Sequence, residues 1–165
     1  MATLRFKGVI VQGVGRFAKE LVLPGRDHLS EPISDWPLTL QPGTLNVRVE
    51  GGFPAEFIEL LGKPDVRLLD SRRFMPEAEL KWSEIGGNTL PPKPGQPDRG
   101  NAQVWRASLR NLNTGAACLC WVVRRIGSGL FRDLELVAGE KLRDTLALAD
   151  GTPVELSLEG GWIDT

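Results

Sequence analysis

The sequence predicts a mainly β fold: a small barrel of six or seven strands with two short helices, formed by residues 1–165 as a single domain. Three observations favour this fold. Short runs of β-branched and apolar residues recur along the chain. Turn signals made of Gly, Pro and Asn separate these runs, and only one stretch carries a well-capped helical pattern. With 165 residues, 41% of them hydrophobic, the chain is long enough to bury one ordinary core.

Two strands are predicted in the first third of the chain. Residues 5–12 are rich in β-branched and apolar types and stop at a Gly-Val-Gly turn. Residues 44–49 alternate as T-L-N-V-R-V after the turn signal Gln-Pro-Gly. On a strand, this alternation places the apolar residues on one face and the polar residues on the other. The polar face carries Thr44, Asn46 and Arg48.

The middle of the chain predicts one helix and one long excursion. Residues 54–61 begin with a proline, carry apolar residues at helical spacing and end before a glycine. Residues 66–69 are compatible with a short strand, and residues 17–40, interrupted by three prolines, predict loop and short strand pieces. Residues 76–100 contain five prolines and four glycines, which predicts an exposed excursion outside the sheet rather than a domain boundary.

The last third predicts a hairpin, two further strands and the second helix. Residues 103–109 and 116–124 are strand-like runs joined by a polar turn with Asn and Gly. Residues 134–138 predict a strand, and residues 140–146 predict a short helix. An Asp-Gly turn then leads into a last strand at residues 154–158.

Composition narrows the functional classes. Twenty Lys and Arg residues against 21 Asp and Glu residues give a net charge of −1, which argues against a nucleic-acid partner. No apolar run reaches the ~20 residues of a membrane helix, so we expect a cytoplasmic protein without a membrane partner. Cys118 and Cys120 share one face of a strand, and we interpret them as buried thiols rather than as a disulfide or metal site. The oligomeric state stays open.

Thr44 and Asn46 form the most informative pair. Their side-chain oxygens project from one face of the same strand, two residues apart. Mg²⁺ prefers hard oxygen ligands and keeps waters while it bridges substrate phosphates. The pair therefore suits a metal–nucleotide complex, although residue chemistry alone does not distinguish such a site from ordinary solvent-facing polar residues.

Three sequence patches resemble the archaeal CTP-dependent riboflavin kinases. They are the G-V-G-R-F turn at residues 13–17, the complete P-G-T-L-N motif at residues 42–46, and the segment L-R-D-T-L-A-L-A-D-G-T-P-V-E-L at residues 142–156. The patches stand in the family's order and span most of the chain. The resemblance implies a β-barrel of the cradle-loop type and phosphoryl transfer from CTP to riboflavin, which gives FMN and CDP.

The resemblance also implies roles for the nucleotide side. In the family, the Thr and Asn of P-G-T-L-N are implicated at Mg²⁺ and the nucleotide phosphates, which carries over to Thr44 and Asn46. Gly13 and Gly15 match part of a glycine-rich loop whose backbone N–H groups approach the nucleotide. The family's third glycine is missing here. We expect Gly13, Gly15, Thr44 and Asn46 to line one pocket.

Charged residues fill the remaining roles that phosphoryl transfer requires. Arg16 or Lys19 would offset the negative charge that develops during transfer. Glu135 and Asp133 are the candidate general bases by their location in the resemblance. The sequence does not select between them.

The acceptor side departs from the family. Where the family has a Pro-Glu-x-Thr segment near the flavin, this chain has V-R-R-I-G-S-G at residues 123–129, so Arg124 or Arg125 replaces an acidic residue. Glu135 lies on the same side in the resemblance. Because arginine prefers carboxylate or phosphate partners, we expect riboflavin to be a poor acceptor while nucleotide binding persists. Alternatively, both arginines end an exposed strand.

Two other functions stay open. A non-catalytic barrel diverged from the same family would sense or store a nucleotide or a small anion, selected by Arg124 and Arg125. An assembly module would use residues 142–158, which also resemble the hairpin-forming segments of swapped-hairpin transcription regulators. The near-neutral charge argues against DNA binding by such a module.

Overall fold

The computed structural model describes residues 2–12, 29–38, 40–41, 45–50, 74–75, 77–80, 102–125 and 133–162. These residues form eight β-strands and one short helix, which we number in chain order. The strands are β1 (Ala2–Val11), β2 (Leu45–Val49), β3 (Phe74–Met75), β4 (Ala78–Leu80), β5 (Ala102–Asn111), β6 (Ala117–Arg125), β7 (Asp133–Val137) and β8 (Pro153–Trp162). The helix, α1 (Leu142–Thr145), connects β7 to β8.

Six of the strands close into an antiparallel barrel. Their order is β8-β1-β2-β7-β6-β5, and β5 pairs with β8 to complete the ring. Closure leaves no unpaired strand edge within the ring, which removes the usual route to edge-to-edge aggregation. We call the end of the barrel where β1 finishes the upper end and the end where β1 starts the lower end. At the lower end, Ala2 is the cross-strand partner of Gly160.

Alternate residues of all six strands fill the interior of the barrel. Each strand presents every second side chain inward, and large apolar side chains buried in this way each stabilise the fold by ~1.5–3 kcal/mol. Leucines of α1 and of the turn after it join this interior core. The core contains Leu4, Phe6, Ile10, Leu45, Val47, Val49, Trp105, Ala107, Leu109, Cys120, Val122, Leu134, Leu136, Ala138, Leu142, Leu146, Leu148, Val154, Leu156 and Leu158.

A second apolar cluster lies outside the barrel. The strap, which we define as residues 29–38 with 40–41, lies against the outer faces of β5, β6 and β7 and buries its apolar side chains there. The rings of Trp36 in the strap and Trp121 in β6 are tilted, with centroids 5.1 Å apart. This outer cluster contains Leu29, Ile33, Trp36, Leu40, Ala78, Val104, Trp121 and Val137.

The short strands β3 and β4 lie where β5 and β8 separate. β5 pairs with β8 along residues 107–111, but its first residues, 102–104, pair with β4 instead. β3 pairs with the end of β8. Glu77, between the two short strands, donates its backbone N–H to the carbonyl of Val104 at 2.9 Å. The short strands therefore continue the wall of the barrel toward the lower end.

The mainly β class and the barrel of the prediction are confirmed, because six antiparallel strands form a closed ring. All six strands of the ring were predicted, with ends that differ by a few residues. The helix predicted at 140–146 is α1, which is only four residues long. The helix at 54–61 and the strand at 66–69 lie outside the described residues. In the described part of the chain, no helix has the length and apolar character needed to cross a membrane.

β4 differs from the excursion predicted at residues 76–100. Residues 78–80 pair with β5, and Ala78 is buried in the outer cluster. Four of the five prolines of this segment lie at residues 91–97, so β4 contains none and keeps its backbone hydrogen bonds. Residues 81–100, including the Pro-rich stretch at 91–95, lie outside the described residues.

Glycine is required at three described positions. At Gly8, a Cβ atom would lie 2.3 Å from the carbonyl oxygen of Arg48, so only glycine permits the close approach of β1 and β2. Gly115 and Gly151 have φ angles of 79° and 87°, which L-residues rarely adopt. These two glycines close the turns predicted before β6 and β8.

Candidate functional site

The described flanks of the three sequence patches meet at the upper end of the barrel. The N–H of Ile10, near the end of β1, donates to the carbonyl of Thr152 at 3.1 Å, and the N–H of Gly151 donates to the carbonyl of Ile10 at 2.7 Å. Val11 is the cross-strand partner of Asn46, the last residue of P-G-T-L-N. The chain therefore leaves β1 toward residue 13 next to the point where it enters β2.

Four residues, each the direct cross-strand partner of the next, form a row across the outer face of the barrel, starting at the end of β1. This outer strip consists of Val11, Asn46, Glu135 and Val123, which lie on β1, β2, β7 and β6. All four residues are half-buried. Because neighbouring strands are ~4.8 Å apart, the three steps of the strip span about 14 Å.

The two ends of the outer strip correspond to the two predicted sides of the site. Val11 stands at the nucleotide side, just before the predicted phosphate turn. Arg124 and Arg125 directly follow Val123 at the other end, and their Cα partners on β5 are Gln103 and Ala102. Glu135, predicted on the acceptor side, is the direct cross-strand neighbour of Asn46.

An ion pair flanks the outer strip. Arg48 donates from Nε to Oδ1 of Asp133 at 2.9 Å and from Nη2 to Oδ2 at 3.1 Å. This hydrogen bonding, together with the negative charge of Asp133, raises the pKa of Arg48 above its ordinary value. Both carboxylate oxygens of Asp133 accept from the guanidinium, so Asp133 is poorly placed to take a proton from an acceptor.

Most of the predicted nucleotide side is not described by the structure. Gly13, Gly15, Arg16, Lys19 and Thr44 lie outside the described residues, so the common pocket predicted for the two glycines, Thr44 and Asn46 stays a prediction. Asn46 itself lies on the polar face of β2, as the alternation of residues 44–49 predicts.

Two described residues of the outer strip carry oxygen atoms of the kind that Mg²⁺ prefers. Asn46 offers an amide oxygen and Glu135 a carboxylate, and the Cβ atoms of such cross-strand pairs are ~4.5–5.5 Å apart. Mg²⁺ usually binds through one or two carboxylates together with substrate phosphates and waters. Within the described ranges, no three His, Cys, Asp or Glu side chains are grouped to hold a metal ion by themselves.

The strap fixes the entry to the P-G-T-L-N motif, a role that sequence reasoning missed. Leu40 is buried in the outer cluster, and Gln41 donates its backbone N–H to the carbonyl of Ala138 at 2.8 Å. The motif begins at the next residue. The sequence does carry a signal for this packing, because apolar residues recur every three or four positions, at 29, 33, 36 and 40. Pro32 and Pro37 interrupt the spacing and argue against a helix, so the signal is easily overlooked.

Charged groups also hold the strap. Asp35 accepts a hydrogen bond from Arg106 of β5, and Arg106 Nε lies 3.6 Å from Oε2 of Glu159 on β8. The Arg106 guanidinium carbon lies 5.7 Å from the centre of the Trp121 ring. Burial raises the pKa of Glu77 nearby, opposed by Arg106 and reinforced by Asp35 and Glu159. The guanidinium of Arg106 thus connects a carboxylate of the strap, Asp35, with a carboxylate of β8, Glu159.

The two cysteines are poorly suited to serve as nucleophiles. Cys120 is fully buried and Cys118 half-buried, and both are free thiols. Burial raises the pKa of each thiol, and Glu140 adds to the effect at Cys118. Because the thiolate is the reactive form, a raised pKa makes both cysteines poor nucleophiles at neutral pH.

No protein-family model and no curated protein matches the sequence.

Proposed function

We propose that this protein is a magnesium- and CTP-dependent kinase of the riboflavin kinase type, which transfers a phosphoryl group from CTP to riboflavin or to a related acceptor. The observation that supports it best is the outer strip. One continuous row of partners runs from Asn46, of the complete P-G-T-L-N motif, through Glu135 to Val123, the residue that precedes Arg124 in the chain. The proposal includes a cradle-loop barrel and a cytoplasmic location, where CTP is available.

The roles of the residues follow from the chemistry of phosphoryl transfer. Such reactions depend mainly on positioning and on neutralising the charge of the phosphates. In this proposal, Thr44 and Asn46 hold Mg²⁺ against the phosphates, and backbone N–H groups of Gly13 and Gly15 bind phosphate oxygens. Arg16 or Lys19 offsets the developing charge. Bound Mg²⁺ supplies Lewis-acid stabilisation of the transferred group.

The acceptor is expected to differ from riboflavin in charge. Arg124 and Arg125 place guanidinium groups in the segment where the resembled family has an acidic residue. Loss of an acceptor for the flavin's N–H donors leaves a polar group unpaired at a cost of ~1–3 kcal/mol, or roughly tenfold or more in affinity. An acceptor that carries a phosphate or carboxylate would instead be favoured.

The occupied carboxylate of Asp133 favours a second candidate function. Arg48 binds both of its oxygens, which makes Asp133 a poor candidate for the base. A barrel without a base would bind a nucleotide or small anion without turnover, as a sensor. Ligand binding without product separates this function from the kinase.

Thermal shift and product assays test the proposal. The wild type should melt at a higher temperature with CTP and Mg²⁺, because a ligand that binds only the native state stabilises it. Product should form from CTP with a suitable acceptor, and riboflavin should give little FMN. Asn46→Ala should lose the shift, whereas the same change at Asn113, in the exposed β5–β6 turn, should not. An absent CTP shift in the wild type contradicts the proposal, and a shift without turnover favours the sensor.

A further inference from the structure

We infer that Arg106 is a latch that holds the strap closed on the barrel through Asp35, and that the charge of Glu77 sets how firmly this latch holds. The latch goes beyond the proposed function, because it is formed without any ligand. Its state matters for the candidate site, because the strap ends at Gln41, directly before the P-G-T-L-N motif.

Backbone hydrogen bonds fix the two ends of the strap, and the latch lies between them. Ser30 donates its N–H to the carbonyl of Glu79 on β4 at 2.8 Å, and the N–H of Glu79 donates to Oγ of Ser30 at 2.9 Å. At the other end, Gln41 donates its N–H to the residue after β7 at 2.8 Å. Asp35 stands midway between these ends and accepts a hydrogen bond from Arg106 of β5.

The barrel holds Arg106 in position for this contact. The cross-strand partner of Arg106 on β6 is Trp121, and the guanidinium carbon lies 5.7 Å from the centre of the Trp121 ring. Its Nε lies 3.6 Å from Oε2 of Glu159 on β8. A planar guanidinium that is oriented in this way loses little freedom when it binds the strap. The side chains of Arg106 and Asp35 are 35% and 34% exposed, so solvent screens their pair less than a fully exposed one.

Three carboxylates surround this one cation, so negative charge is in excess. Asp35 belongs to the strap, Glu159 to β8 and Glu77 to the segment between β3 and β4, whereas β6 presents only the uncharged indole ring. Glu77 is fixed near Arg106, because its N–H bonds at 2.9 Å to the carbonyl of the β5 residue two positions earlier. Glu77 therefore attracts the cation that Asp35 needs and repels Asp35 itself.

Closure of the strap and a charge on Glu77 oppose each other. Burial raises the pKa of Glu77, Arg106 lowers it, and Asp35 and Glu159 raise it. Among these charged groups, Asp35 is the one that moves with the strap, so a closed strap favours protonated Glu77. By linkage, protonated Glu77 favours the closed strap. This contribution to closure is fully present below the ordinary Glu pKa of ~4.3 and is lost as the pH rises through the raised value.

Hydrogen exchange of individual amides tests the latch without nucleotide. The bonded N–H groups of Ser30 and Gln41 exchange when the strap opens, whereas amides paired within the ring of six strands require the barrel to open. Near neutral pH, Asp35→Asn should lower the protection of the two strap amides about threefold, which is typical of a partly exposed ion pair. The amides of the ring should keep the protection of the wild type.

A double-mutant cycle isolates the pair. Arg106→Met keeps an apolar stem beside Trp121 and should lower the protection of the strap amides as Asp35→Asn does. The two changes together should cause no further loss, because each removes the same interaction. Arg106→Lys keeps the charge and should recover part of the protection. Arg5→Met removes an exposed arginine from β1 and should leave the strap amides unchanged.

Glu77→Gln tests the control by charge. It should raise the protection of the strap amides about twofold near neutral pH. The same change should have a smaller effect in the Asp35→Asn background, because the repelled carboxylate is gone. In the wild type, protection corrected for intrinsic exchange should fall as the pH rises through the raised pKa of Glu77, and Glu77→Gln should lose this part of the pH dependence.

Three results would overturn the latch. The first is unchanged protection of the strap amides in both Asp35→Asn and Arg106→Met, and the second is an equal fall in the amides of the ring. The third is an additive loss when the two changes are combined. An equal effect of Glu77→Gln with and without Asp35 overturns the control by charge. None of these measurements contains a nucleotide, so each of these failures leaves the proposed function to its own test.

Discussion

The interior core and the outer cluster are both apolar and both contain tryptophan, but they are held in different ways. Six strands surround the interior core, and the hydrogen bonds of a closed ring fix its position. The outer cluster is covered by one strap, whose contacts include four apolar side chains, an ion pair through Asp35 and hydrogen bonds through Ser30 and Gln41. A segment of this kind can detach while the barrel stays folded, because local opening costs less than global unfolding.

The difference matters because the strap leads directly into P-G-T-L-N. Gln41 is the last described residue before the motif and is fixed by its hydrogen bond to Ala138. The interior core therefore sets the global stability, whereas the outer cluster sets where the chain enters the candidate site. Substitutions in the two clusters should separate these two properties.

Removal of an interior tryptophan should have the largest effect. Trp105 is fully buried in the interior core, and Trp105→Ala should lower the free energy of unfolding by ~3–5 kcal/mol, because a large cavity forms where the ring of strands cannot collapse. Urea denaturation followed by circular dichroism measures the loss. A loss below ~1 kcal/mol would mean that the closed barrel does not dominate stability.

Removal of the strap's tryptophan should lower the free energy of unfolding of the whole protein less than Trp105→Ala does, and should mainly weaken the attachment of the strap to the barrel. Trp36→Ala removes the contact with Trp121, but the global loss is limited to ~1.5–3 kcal/mol, because the strap can leave the barrel intact. Limited proteolysis should cut within residues 29–41 faster than in the wild type, while the barrel resists. Equal global losses for Trp36→Ala and Trp105→Ala would erase the distinction between the clusters.

One polar residue weakens the interior, and its removal should stabilise the barrel. Gln103 is 1% exposed, and its Oε1 has no hydrogen-bond partner within the part of the chain that the structure describes. Gln103→Met has a similar shape without the unsatisfied oxygen, so it should raise the free energy of unfolding by about 1 kcal/mol. Chemical denaturation of the two proteins checks this. A clear loss would show that Gln103 is bonded in solution.

The smallest effect is expected at Glu77, where β5 and β8 separate. Burial raises its pKa, so its folded state binds a proton more readily than its unfolded state. The resulting stability is present at low pH and is lost as the pH rises from the ordinary Glu pKa of ~4.3 through the raised value. Glu77→Gln should therefore be more stable at pH 7 by less than ~1 kcal/mol, with the difference gone below pH 4. Melting temperatures across this range measure it, and a variant less stable at pH 7 contradicts it.

The strands were predictable because their signal is local. Alternation in residues 44–49 places Asn46 outward, and the Asp-Gly turn marks the start of β8. Closure between β5 and β8 was not visible in any single run, because it depends on the register of strands that are about 45 residues apart in the chain. The pairing of Asn46 with Glu135 is of the same kind and belongs to the sheet as a whole.

The strap was not predicted for a different reason. Its apolar spacing is visible in the sequence, but the prolines at 32 and 37 favour an irregular loop, and local rules then predict nothing about packing. The apolar side chains of Val104, Trp121 and Val137 on the outer face of the barrel provide the surface against which the segment packs. Likewise, Arg48 and Asp133 are 85 residues apart, and no local pattern joins them.

The pairing of Ala2 with Gly160 has a practical consequence for changing the order in which the strands are connected. The first and last strands are neighbours in the ring, so residues 2 and 160 lie side by side at the lower end. A short linker from the end of β8 to the start of β1 would allow circular permutation, which domains with adjacent ends generally tolerate.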